Sequence, residues 1–263
     1  MAHKAAAPKT GAKVNKFVPL LGAVFVISLT LFAYVRYATR QVSAPTKSDT
    51  VVAEKLAVKV DPIVLPKPSL TSKTSLEATL QARRSRRTFT ADSLKLTQVS
   101  QLLWSAQGVT ADWGGRTAPS AKSAYPLTVY LAAFNVEGLN PGVYEYLPGD
   151  KEMVHKLQLV VPGNVKETLG NAIGQNAAKE PAAIILFAGD FAKMAEVFDG
   201  TRHDENVYLE VGHAAQNVYL QVESLGLGTV TIAGFDAAKV ASVLMTPASQ
   251  KVIYALPIGK PQD

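Results

Sequence analysis

Residues 210–236 read EVGHAAQNVYLQVESLGLGTVTIAGFD, and the order of their signals decides between two ways of building a helix-and-strand protein. Residues 206–225 have the apolar and polar faces of a long helix, and Gly226 and Gly228 follow as its stop. Residues 229–232 are then a strand, and Asp236 caps a further helix that runs to Leu244. A dinucleotide-binding turn sets its glycines between a strand and the following helix, so that the helix amides meet a pyrophosphate. Here the first glycines stand between helix and strand, and the spacing is not GxGxxG. A doubly wound nucleotide fold is therefore excluded.

The flanking sequence agrees. Thr74-Ser75-Leu76-Glu77 has capping-box spacing, with Thr74 as the cap, and Leu76 and Leu80 fall on one face of the helix that follows. Residues 96–107 form a second helix with Val99, Leu102, Leu103 and Ala106 apolar. Strands are expected at 127–133, 143–147, 182–187 and 252–257, with a turn at Asn140-Pro141-Gly142 making a hairpin. Helices and strands do not alternate regularly. The expectation is an α+β fold with a mixed, mainly antiparallel sheet flanked by helices.

The chain has 263 residues and no cysteine, which excludes a disulfide framework, thiolate metal sites and a cysteine nucleophile. Its net charge of +6 resides at the N-terminus. Residues 1–48 carry seven basic residues and no acid, leaving 20 basic against 21 acidic residues beyond them. The globular part is thus near neutral, and a nucleic-acid groove is not expected. Between Lys16 and Arg36 lie 19 uncharged residues, FVPLLGAVFVISLTLFAYV. As a helix they span roughly 28 Å, close to the hydrocarbon thickness of a bilayer. A cleaved signal peptide is the competing reading, but Pro45 follows the small-residue site Val42-Ser43-Ala44 and disfavours cleavage. The expected organisation is a basic tail over 1–16, a transmembrane anchor over 17–35, a Pro- and Lys-rich tether over 36–68 and one domain over 69–263. The charges flanking the anchor favour the domain on the outer face, periplasmic or extracytoplasmic.

Three segments of the domain suggest chemistry. Arg83-Arg84-Ser85-Arg86-Arg87 puts four guanidinium groups in five residues. Such groups repel one another unless an anion sits among them, and a phosphate matches their paired donors. A solvated face or a membrane-surface contact remains open at this point. Pro119-Ser120-Ala121-Lys122-Ser123-Ala124-Tyr125-Pro126 sets small hydroxyl residues between two prolines, which suits close approach to a flat polar ligand, or an ordinary loop into a strand. The third is the glycine-rich 226–235. His213 is expected in the core or at an interface, and His203 lies on a polar stretch. No metal-binding spacing, nucleophile elbow or paired carboxylates stand out. The profile is that of a cofactor enzyme with a phosphate-bearing ligand.

In this order and spacing the segments resemble the FMN-dependent nitroreductase superfamily, and more closely its SagB-type dehydrogenase branch. The likeness rests on RRSRRTF (83–89), PSAKSAYPLTVYL (119–131), PGVYEY (141–146), the stretch 210–236 and LPIGKP (256–261). It implies a nitroreductase-like homodimer with FMN at each subunit interface. Arg83, Ser85 and Arg87, with Arg84 nearby, would hold the phosphate together with Lys260. Ser120, Ala121 and Ser123 would contact the flavin, and the Ala233-Gly234 turn would face flavin N5. NAD(P)H is a possible electron donor, and a small conjugated molecule the acceptor. Two departures are visible. The usual glycine after Pro-Ser-Ala is Lys122, and the Lys-Tyr pair of azoline-oxidising members is missing from Glu196-Val197-Phe198-Asp199. A degenerate binding or assembly module on the same fold, and a peptide azoline dehydrogenase, are the alternatives.

Overall fold

The computed structural model describes residues 61–262. The basic tail, the anchor at 17–35 and the tether up to residue 60 lie outside the described residues. Among the described residues no helix is long and apolar enough to cross a membrane.

The centre is a seven-stranded sheet, all of whose neighbouring strands are antiparallel. Its strands are β1 (Ile63–Val64), β3 (Leu127–Ala133), β5 (Gly142–Leu147), β6 (Lys156–Pro162), β7 (Ala183–Asp190), β8 (Gly228–Thr229) and β9 (Gln250–Gly259), in the order β1-β6-β5-β3-β7-β9-β8. A separate parallel pair joins β2 (Leu94–Lys95) to β4 (Val136–Glu137). The turn before Gly142 returns β5 antiparallel to β3, as the hairpin signal implied.

Helices cover both faces, so alternate residues of the central strands enter two cores. On one face Val129, Leu131, Ile185 and Phe187 pack with Leu102 and Leu103 of α2 (Leu96–Gln107) and Val211, Ala214 and Val218 of α5 (Asp204–Ser224). On the other, Tyr130, Ala132, Ile184 and Leu186 pack with Leu169 and Ile173 of α3 (Lys166–Ile173) and Val240 and Leu244 of α6 (Ala237–Leu244). Burial on both faces explains why 182–187 is apolar throughout and not alternating. α1 (Leu76–Ala82) and α4 (Phe191–Glu196) complete the described helices.

The structure departs from the sequence reading in several places. Ser75, not Thr74, caps α1, its Oγ accepting from the Ala78 amide at 3.2 Å. Leu76 and Leu80 are 59% and 51% exposed, and Thr79 is the residue that α1 buries. The sheet begins within the stretch read as tether, at the end of residues 51–64, whose sequence suits a short added strand. Ile63–Val64 pairs with β6, Leu65 is buried, and its amide donates to the His155 carbonyl at 3.0 Å. The strand read at 229–232 is broken: Gly228–Thr229 pairs with β9, Ile232 makes a single bridge to Ala255, and Thr231 turns elsewhere. The strand β6 and the helices α3 and α4 had no sequence reading. Asp236 caps α6 as expected, accepting from the Ala238 and Lys239 amides. His213 is exposed on α5, not in the core.

Candidate active site

The arginine block leaves α1 in extended form and runs beside the end of the sheet. The Arg86 amide donates to the Thr229 carbonyl at 2.8 Å, and Phe89 bridges to Pro261. Such an approach needs a glycine opposite, because a Cβ on Gly228 would meet Arg86 Cβ at 2.8 Å. Gly226, with φ of 65°, is the helix stop, so the two glycines that look alike in sequence do different work.

Tyr219 of α5 ties this region together. Its hydroxyl accepts from the Thr231 amide at 2.9 Å and lies 3.2 Å from Ser85 Oγ, while the Arg83 guanidinium sits 5.2 Å from its ring centroid. Thr231 is two residues before Ala233-Gly234, whose amides donate to no group among the described residues. Lys260 follows β9, next to β8, and its carbonyl accepts from Thr90. Its ammonium pairs with Asp92 at 3.1 Å. Arg83, Arg84, Ser85 and Arg87 thus lie on the segment that runs beside β8 and Lys260, and Tyr219 links Ser85 to Thr231, two residues before Ala233 and Gly234. The Arg84 backbone amide donates a hydrogen bond to Glu223 Oε1 at 3.1 Å. Among the described residues none of the block's guanidinium groups pairs with a carboxylate. Clustered cations whose guanidinium groups have no carboxylate partner fit a phosphate, and exposed amides in a side-chain-poor turn fit the edge of a flat ring.

Ser120, Ala121 and Ser123 are elsewhere. Their loop sits near the start of α5, where the Ser120 hydroxyl interacts with buried Glu210 and accepts from the Tyr125 amide at 2.8 Å. Burial pushes the Glu210 carboxyl up. The nearby Ser120 hydroxyl, the bond from Gln107 and the charges of Arg116 and Lys193 offset part of that. Glu210 Oε1 accepts from Gln107 Nε2 at 3.1 Å, and Gln107 Oε1 accepts from Arg116 at 3.2 Å. Glu210 and Tyr219 are nine residues apart on one helix, about 14 Å along its axis. The two halves of the candidate site thus lie at different ends and on different sides of α5 within one chain.

Lys122 resolves the departure noted in the loop. Its φ of 47° is a left-handed conformation that glycine adopts freely, and its side chain turns away to the Val197 carbonyl at 2.8 Å. Tyr219, Glu210, Gln107 and Arg116 escaped the sequence reading. Tyr219 and Glu210 lie inside the quoted helix, but only an alternation of faces marks them there. No group of metal-ligating side chains occurs among the described residues.

A sequence model of the nitroreductase family matches residues 80–260. A nitroreductase homologue of Methanocaldococcus jannaschii is 33% identical over 190 residues, covering 70% of this chain and 90% of the relative. A solved nitroreductase homologue of Ralstonia eutropha aligns with a TM-score of 0.66 at 29% identity, over 79% of this chain and 93% of that one. The NADPH:FMN oxidoreductase of Vibrio harveyi, solved with NAD+, shares the fold at a TM-score of 0.51 and 20% identity, over 72% and 69% of the two chains. The Escherichia coli microcin synthetase complex also shares it, at 0.56 and 20% identity, over 95% and 99%.

Proposed function

The chain belongs to the nitroreductase family of FMN-dependent oxidoreductases, and we propose that it is a membrane-anchored, homodimeric member acting on a small conjugated acceptor. The observation that carries the FMN assignment is the arginine block without carboxylate partners, joined through Tyr219 to the turn at Ala233-Gly234. Arg83, Ser85 and Arg87 hold the phosphate, with Arg84 and Lys260 beside them. Lys260 exchanges part of its pairing with Asp92 for the phosphate.

The divided site supports the homodimer reading. The loop with Ser120, Ala121 and Ser123 lies on the other side of α5 from the arginine block of its own chain. A second copy supplies it. The exposed stripe of α5 that includes Leu209, Gly212 and His213 is the surface on which the copies meet. Bound FMN would supply the chemistry that carries electrons from a reduced donor to the acceptor in a ping-pong cycle. The protein's part is to position the ring, to keep water from it and to present an amide to its edge, which stabilises added electron density. With the domain on the outer face, a membrane quinol replaces NAD(P)H as the abundant donor. Glu196–Asp199 offers neither lysine nor tyrosine, so a small molecule is the acceptor rather than a peptide azoline.

The test is the visible spectrum of the detergent-solubilised full chain, followed by anaerobic titration with NADH, NADPH and a quinol. A two-band flavin spectrum, release of FMN on denaturation and reduction by one of these donors are expected. A colourless protein that takes up no added FMN would overturn the reading. Retention in the membrane fraction after alkaline washing tests the anchor.

A further inference from the structure

Trp113 is 72% exposed, the highest value of any large apolar side chain among the described residues. It stands at the tip of a short hairpin. Val109 bridges to Arg116, the Thr110 amide donates to the Gly115 carbonyl at 2.8 Å, and the Gly114 amide closes the turn onto the Ala111 carbonyl at 3.0 Å. Gly114, with φ of 87°, adopts the left-handed conformation in which the turn ends. Gly115 leaves room for the indole, because a Cβ there would meet Trp113 Cζ2 at 2.5 Å. The backbone thus braces the ring and still leaves it in water. An indole has an apolar body and one polar N–H, which suits a boundary that is apolar on one side and wet on the other.

The hairpin is fixed to one margin of the sheet. Asp112 pairs with Lys151 at 2.5 Å, which ties the tip to the turn between β5 and β6. Val154 follows in that connection and is 37% exposed, and the next residue, His155, takes the Leu65 amide on its carbonyl. Val64, 59% exposed, precedes Leu65 on β1, the edge strand of the sheet. Trp113, Val154 and Val64 therefore belong to one margin. It is also the margin at which the described chain begins, with 60 residues before Asp61, among them the uncharged stretch 17–35. Asp112 and Lys151 neutralise each other, so the tip favours neither a basic nor an acidic partner. Beyond the hairpin, Arg116 opens the loop that carries Ser120, Ala121 and Ser123, and its amide donates to the Tyr125 hydroxyl at 3.2 Å.

We propose that the Trp113 hairpin is a lipid-contact element: the indole seats in the interfacial layer of the bilayer, and the margin that carries Val64 and Val154 faces the same surface. The proposal rests on the reading of the chain as membrane-anchored, and it adds which side of the domain meets the lipid. Tryptophan is the side chain that settles at headgroup level, and a neutral tip needs no anionic lipid to do so. The Ser120 loop, three residues beyond Arg116, is then carried on the lipid side of the domain, where a membrane quinol is concentrated.

The chain has two tryptophans, Trp104 and Trp113, and residues 17–35 contain none, so indole emission reports on the domain alone. The test reconstitutes the full chain, as wild type, Trp113→Phe and Trp104→Phe, into phosphatidylcholine vesicles made with plain or chain-brominated lipid, which quenches an indole on contact. Brominated lipid is expected to lower wild-type emission by at least a quarter. Trp104→Phe, which leaves Trp113 as the sole emitter, is expected to show a larger loss, and Trp113→Phe to lose less than a tenth. Protein that stays with the vesicles through an alkaline wash but emits equally in both lipids overturns the proposal alone. Quenching that persists undiminished in Trp113→Phe does the same. So does protection of Trp113 from brominated lipid and aqueous iodide together, which would place a second copy or another protein over the hairpin. Protein that leaves the vesicles on washing overturns the anchor, and the proposal with it.

Discussion

The hydroxyl of Tyr219 accepts the Thr231 amide at 2.9 Å, and the same oxygen is 3.2 Å from Ser85 Oγ. One phenol thus links the arginine block to the segment that leads into the Ala233-Gly234 turn. Tyr219→Phe keeps the buried ring and strands the Thr231 donor. We expect a loss of about 1 kcal/mol of stability, from leaving a partly buried donor unmade. We also expect several-fold weaker FMN binding by fluorescence titration. Unchanged FMN affinity in a folded variant would show that the link does not position the arginine block.

The arginine block makes a prediction that separates phosphate from ring. Arg83→Ala with Arg87→Ala removes charge-assisted bonds worth roughly 1.5–3 kcal/mol each, or at least tenfold in FMN affinity. Riboflavin, which has the same ring and no phosphate, should bind the variant and the wild type alike. An equal loss for both ligands would mean that the arginines shape the ring pocket instead.

Gly228 permits the close approach of the arginine strand. Gly228→Ala places a methyl 2.8 Å from Arg86 Cβ and 3.3 Å from Pro261 Cβ. The strand must shift, so weaker FMN binding and a lower melting temperature are expected together. Gly226→Ala acts differently. It meets nothing within 4 Å but forces a left-handed alanine, so stability falls while FMN affinity holds.

Buried His155 gives the domain a pH dependence. It is held by Tyr146 at 2.8 Å, Ser100 at 2.9 Å and the Pro66 carbonyl at 3.1 Å. Burial pushes it below its ordinary value of 6.5, partly offset by the Pro66 bond. The folded state therefore binds the proton less readily than the unfolded state. Its contribution is fully present above about pH 6.5 and declines as pH falls from there towards the folded value. Melting temperature should fall as pH drops below 6.5, first loosening the attachment of Leu65 and Pro66. His155→Gln should flatten that dependence, and an equally steep profile in the variant would assign it to other groups.

Much of the architecture was legible because its signals are local. The helix at residues 96–107 shows an apolar repeat that its own turns create, and the strand at 127–133 is bounded by loop residues on each side. The order helix, glycine, strand in 210–236 excluded a nucleotide turn from neighbouring residues alone. Ser75 displaced Thr74 as cap because both hydroxyl residues satisfy the local rule, and the chain's direction into α1 chose between them. Leu76 and Leu80 have the correct spacing for a core face. They stay exposed because no described element packs over them, which spacing cannot express.

By itself the sequence determined the α+β class, the positions of most central strands and helices, the phosphate-suited arginine block and the likeness to a flavin family. Each of these depends on residue types and their nearest neighbours. Tertiary structure alone decided which distant groups meet. Ser85 and Tyr219 are 134 residues apart, and Lys122 and Val197 are 75 apart. It also separated the two halves of the candidate site along α5. Such pairings depend on the path of the whole chain. A side chain's own neighbours set its local backbone, but the sheet order and the packing of α5 set its partners.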